Sequence, residues 1–132
     1  MAELLPMLEA FQHRALQMGD AMKLLENDLA NYASAVALLA VHSAIAWNDT
    51  VQIRLTGKRV RYQNHKQTAD HTRRICGSHG IDVSGLRHFE ALLGSKNAVA
   101  YDETLILEPA ADKARTHALR FETWALRILG GQ

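Results

Sequence analysis

From Leu4, the apolar positions Leu8, Phe11, Ala15, Met18, Met22, Leu25 and Leu29 follow one another at alternating steps of four and three. That rhythm keeps a stripe on one side of an α-helix, and it predicts a first helix ending near Asn27, with Pro6 tolerated because it lies near the start. Gly19, in the middle of this stripe, costs roughly 1 kcal/mol against Ala and marks a candidate bend. Asn31 is placed to cap a second helix. From Tyr32 to Ala46 the apolar residues run nearly all round that helix, as expected of the most buried member of a bundle, and Gly57 stops it. Lys58 to Asn64 is polar, basic and without either period, so it reads as a loop. A third helix is predicted from His65 to Cys76, before Gly77. Ile81 to Gly85 is a connection, with Ser84 the expected N-cap of a short helix that carries Leu86, Phe89, Leu92 and Leu93 and weakens at Gly94. Pro109 suits the first position of a last helix, whose Ala111, Ala114, Ala118, Phe121, Ala125 and Ile128 again alternate by threes and fours until Gly130 and Gly131.

Four or five helices joined by short connections make antiparallel neighbours, so the expected fold is all-α, an antiparallel four- or five-helix up-and-down bundle. At 132 residues the chain forms one domain, 1–132. With 48% hydrophobic and 22% charged residues and a net charge of +1, it falls outside the disordered, collagen-like and strongly basic classes. A single Cys excludes an internal disulfide, and the N-terminus lacks the basic, apolar and small-residue succession of a signal peptide. A cytoplasmic protein is expected. The most apolar stretch, Ala33 to Trp47, is interrupted by Ser34, His42 and Ser43 and falls short of the ~18–20 apolar residues of a membrane span, so it reads as a core helix and no membrane partner is expected.

Charge is uneven along the chain. Arg54, Lys58, Arg59, Arg61, Lys66, Arg73 and Arg74 face only Asp70 between positions 54 and 74, a local formal charge of about +6. With Tyr62 available for stacking, such a patch suits phosphate or RNA, though the same charges also fit a plain solvated loop. The seven histidines do not assemble a metal motif: His65 and His71 are six apart, on different helical faces, and Cys76 with His79 has no second pair. No metal and no cofactor are expected. A glycine-rich phosphate loop, a G-x-S-x-G elbow and HExxH are all missing, so P-loop hydrolysis, acyl hydrolysis and zinc-protease chemistry have no motif behind them. Cys76 reads as a half-buried helix-end residue.

One set of segments resembles a known family. Ala40-Val41-His42-Ser43-Ala44-Ile45-Ala46, then Asn48-Asp49, Arg54-Leu55-Thr56-Gly57-Lys58-Arg59 and His65, are similar to the HEPN superfamily of small bacterial bundle proteins. Leu92-Leu93, Lys96-Asn97-Ala98-Val99-Ala100-Tyr101 and Arg120-Phe121-Glu122-Thr123-Trp124-Ala125 look like that family's motif region and closing helix. The resemblance spans most of the chain and implies a helical bundle, commonly a two-fold dimer whose motif helices face each other across a cleft.

Active members of that family are metal-independent ribonucleases, or toxins paired with a nucleotidyltransferase-like antitoxin, and carry Arg and His separated by four residues. The Arg neutralises the phosphate while the His moves the proton of the attacking or leaving oxygen. The matching positions here are Lys96 and Tyr101. Lysine keeps the charge without the bidentate fork. A phenol is a poor general base, because at an unperturbed pKa near 10 roughly one in a thousand is ionised at pH 7. A Tyr that antitoxins modify in some members is replaced by Glu103. Asn97 and Tyr101 also have a purely structural reading, as a helix terminator and a packed ring. His42 and Asp49, seven apart on the second helix, lie on roughly one side; His42 fits either a hydrogen-bonded core position or an imidazole replacing the one that the motif lacks.

The sequence therefore predicts a catalytically degenerate, HEPN-like homodimer binding a nucleotide, RNA or a protein partner at the dimer seam. Lys96, Asn97, Tyr101, Asp49, Arg54, Lys58, Arg59 and Arg61 are the expected ligand-binding residues. The alternatives are an active metal-independent ribonuclease toxin using Lys96 with Tyr101 or His42, and an interaction subunit for a nucleotidyltransferase.

Overall fold

The computed structural model describes residues 4–60, 65–95 and 105–131. They form five α-helices, with no strand among the described residues: α1 (Leu4–Leu25), α2 (Leu29–Thr56), α3 (His65–Ser78), α4 (Leu86–Gly94) and α5 (Glu108–Gly131). The fold is an all-α helical bundle. A single 3-10 turn, Glu26–Asp28, joins α1 to α2 and folds them into an antiparallel hairpin. Arg115 of α5 reaches Glu26 at 3.1 Å, and Glu122, two turns on, reaches Lys23 at 3.0 Å, so α5 is antiparallel to α1. The first residues of α5 accordingly lie beside Ala30 and Ala33, at the start of α2.

α2 is the centre, packed on one side by α1 and on another by α5, with α3 and α4 closing a smaller layer over its second half. Its apolar residues are buried all round: Val36, Ala37, Ala40, Val41, Ala44, Trp47, Val51 and Ile53 are almost wholly shielded from solvent. This is the burial expected of a helix with little amphipathic bias. At 28 residues α2 is longer than its apolar run suggests, and the Pro6–Thr56 stretch contains a window apolar enough by composition to cross a bilayer. The remaining core comes from one face of each other helix: Ala15 and Met22 of α1, Ala69 and Cys76 of α3, and the buried faces of α4 and α5, where Phe89 stacks on Phe121 at 5.0 Å and Phe121 on Trp124 at 5.3 Å.

The local boundaries differ from the expected ones at four places. α2 begins at Leu29, and Asn31 donates its side-chain amide to Asp28 (3.0 and 3.2 Å) instead of capping the helix; the boundary expected there survives as a kink at Tyr32 (φ −124°, ψ 22°). α1 runs through Gly19 as one helix, and the residue is small because Glu122 of α5 lies across it, 2.9 Å from where a Cβ would stand. α3 continues through Gly77 to Ser78, leaving Cys76 fully buried. Ser84 gives its hydroxyl and its N–H to the Asp82 carboxylate (2.7 and 3.1 Å), so Gly85 occupies the N-cap of α4. Gly85 is there for space: a Cβ would come within 2.2 Å of Trp124 Cγ. Gly57 does end α2, with left-handed φ of 81° and its N–H bonded to Ile53 O at 2.8 Å.

Candidate functional site: two basic surfaces on the bundle

The last two turns of α2 bury side chains that an apolar core would exclude. Asn48, Asp49 and Gln52 are at most 3% exposed, and Thr72 of α3 is fully buried against them. Buried polar groups need partners, and these have them. Thr72 Oγ1 donates to Asn48 Oδ1 at 2.6 Å, and Gln52 Nε2 donates to Thr72 Oγ1 at 3.0 Å. Gln52 Oε1 accepts the Val60 N–H at 2.8 Å, while Thr56 Oγ1 lies 2.8 Å from Lys58 O. Beyond Gly57 the chain is thus folded back along α2 and pinned to it.

This pinned turn brings together some of the expected binding residues and occupies others. Arg59 Nη1 reaches the buried Asp49 Oδ2 at 3.3 Å, and its guanidinium lies 4.6 Å from the centre of the Phe11 ring, beside that of Arg14 at 4.7 Å. Asp49 and Arg59 are therefore paired with each other. Lys58 is exposed, and with Arg74 of α3 it flanks His71; the two cations and burial together hold the His71 pKa below its ordinary value, burial contributing most. Neither Lys58 nor Arg74 has a carboxylate within ion-pair distance among the described residues. Arg73 pairs with Asp70 one turn back on α3 and joins α3 to α4 through Glu90. Arg54 is exposed near the end of α2, and His42 is half-buried two turns before Asp49. Arg61, Lys96, Asn97 and Tyr101 lie outside the described residues.

A second basic constellation is absent from the sequence expectations. Along α5, His117, Arg120, Trp124 and Arg127 recur at steps of three, four and three, a single helical stripe of basic and aromatic character. It faces the first turn of α4, where His88 Nδ1 lies 3.0 Å from His117 Nδ1, so one ring nitrogen donates and the other accepts. Burial is the main cause lowering both imidazole pKa values; the His117 ring, Arg87 and Arg120 add to it at His88, and Lys113, Arg120 and Arg87 at His117. Between the two helices lies an open cleft of about 240 Å³. The signal is available as a helical repeat, but the apolar stripe of the same helix masks it.

Nucleophilic and metal chemistry find little support in this arrangement. Burial pushes the Cys76 thiol up to about 11, which leaves it protonated at neutral pH. Among the described residues no three of His, Cys, Asp and Glu come together as a metal-binding group. Comparison with known proteins finds no family model, no curated protein and no solved structure that matches this chain.

Proposed function

We propose that the protein is a non-catalytic RNA-binding bundle, HEPN-like and dimeric as the sequence resemblance implies, that holds RNA phosphates on the surface formed by the turn after α2 and the exposed face of α3. The observation that carries this reading is the presentation of Lys58 beside His71 and Arg74 on a turn fixed by buried polar side chains. A floating basic loop would lose conformational entropy on binding; a turn already tied down through Val60 and Arg59 has lost most of it in folding. Lys58 and Arg74 supply phosphate contacts whose strength comes from counterion release and is indifferent to base sequence. Arg59 acts here as a fastener, because its charge is taken up by Asp49 and Phe11.

Support for self-association comes from the end of the bundle where α2 begins. Leu24, Leu105 and Leu107 stand 80%, 74% and 60% exposed there, apolar surface suited to cover by a second copy.

Fluorescence anisotropy with a labelled single-stranded RNA, in EDTA, tests the reading. The wild-type protein is expected to bind the RNA and leave it intact, and the Lys58→Ala/Arg74→Ala double variant to bind at least about tenfold more weakly. Unchanged affinity in a folded double variant would refute the assigned surface. Cleavage of the RNA in EDTA would refute the non-catalytic reading and favour a metal-independent ribonuclease.

A further inference from the structure

The cleft between α4 and α5 has an electrostatic composition that the bundle does not need for its own stability. Arg87 enters it from the first turn of α4, and Arg120 and Arg127 enter from α5 seven residues apart, about 10 Å along the helix axis. His88 lines it with them, steadied from behind by the Nδ1 contact with His117. Every acid that these two helices could place here is committed elsewhere. Glu90 pairs with Arg73, Glu122 with Lys23 and Asp112 with Arg115. Asp82, in the connection before α4, turns its carboxylate onto Ser84 and feels the charge of Arg127 without pairing with it. Among the described residues, Arg87, Arg120 and Arg127 have no carboxylate within ion-pair distance.

Three guanidiniums lining one concavity repel each other, and an anion entering between them relieves that repulsion. The walls are fixed. Trp124 donates its indole N–H to Asp82 O at 2.8 Å and fills the space that the missing side chain of Gly85 leaves, so the first turn of α4 and the arginine stripe of α5 are held at a set distance.

We propose that this cleft is a binding site for a phosphate monoester. The shared chemistry is a compact dianion with three terminal oxygens, matched by guanidinium forks from two helices. A phosphodiester presents one charge and two free oxygens, which leaves part of this donor set unused. The site is separate from the RNA surface on α3 and shares none of its residues, so either assignment can fail without the other.

Isothermal titration at neutral pH and low salt, with AMP, inorganic phosphate and the dinucleotide ApA as probes, tests the proposal. AMP and phosphate are expected to saturate one site per chain, with ApA much weaker. AMP binding more tightly than phosphate would identify a mononucleotide as the source of the group, and equal affinities would identify free phosphate; either supports the site. Arg120→Gln should weaken binding by about tenfold or more, with Arg120→Lys between it and the wild type, because lysine keeps the charge and loses the fork. Should Arg120→Gln fail to fold, Arg127→Gln carries the same expectation. Absence of saturable binding by AMP and phosphate, ApA binding as tightly as AMP, or a folded glutamine variant with wild-type affinity would each overturn the proposal.

Discussion

Gly85 marks the point where one missing side chain sets the geometry of a whole cleft. Its α-carbon faces the Trp124 ring, and an added methyl group would overlap both Cγ and Cβ of that rigid, hydrogen-bonded side chain. Gly85→Ala is therefore expected to destabilise the protein by about 1–3 kcal/mol, the usual cost of overpacking, as read from urea denaturation; a shift within experimental error would contradict the packing described. The His88 and His117 pair makes a second prediction. Their pKa values are lowered in the folded chain, so between about pH 7 and pH 5 the unfolded chain binds more protons and stability rises with pH. Their contribution is whole above the unfolded value near 6.5 and is lost as pH falls below it. His117→Gln should flatten this part of the stability profile, and an unaltered slope would show that other groups set it. In the sequence these histidines are only two of seven, because no spacing rule connects position 88 with 117; their contact exists only once α4 lies on α5.

The helices themselves are legible in the sequence because their apolar residues recur at helical steps, and the central place of α2 follows from Val36 to Trp47 being apolar on nearly every side. Its last two turns are not legible. Asn48, Asp49 and Gln52 break the apolar pattern, and only the fold explains their burial, by showing what they hold: Thr72 across the interface with α3, and Val60 and Arg59 in the turn beyond. Gln52 is the positioning residue of that turn. Gln52→Leu removes the acceptor of the Val60 N–H and the donor to Thr72, with an expected loss of about 1–3 kcal/mol for the groups left unpaired. It should also weaken RNA binding even though it changes no charge. RNA affinity equal to wild type, in a variant shown to be destabilised, would separate the polar column from the proposed surface and confine it to a structural role. The capping expectations at Asn31 and Ser84 fail for a common reason: each side chain finds a nearer carboxylate, Asp28 and Asp82, which a reading of caps alone does not weigh.

Across the molecule a net charge of +1 conceals an ordered distribution. Acidic side chains serve mainly as fasteners between elements, Glu122 tying α5 to α1, Glu26 tying the turn after α1 to α5, and Glu90 tying α3 to α4. Five cations outside these pairs gather on two separate surfaces, Lys58 and Arg74 on one and Arg87, Arg120 and Arg127 in the cleft. The first is visible in the sequence as a run of basic residues, although the run overstates it, since Arg59 and Arg73 are spent on ion pairs. The second is hidden because its members come from elements about thirty residues apart in the chain. If phosphate recognition on the first surface is the protein's role, its RNA affinity must depend on salt through those side chains. The decisive measurement is the slope of log affinity against log salt concentration for wild type and for Lys58→Ala/Arg74→Ala. The account predicts a linear fall for wild type and a slope shallower by about 1.4 in the double variant, roughly 0.7 for each single-strand phosphate no longer neutralised. A wild-type affinity indifferent to salt, or identical slopes for the two proteins, would contradict it.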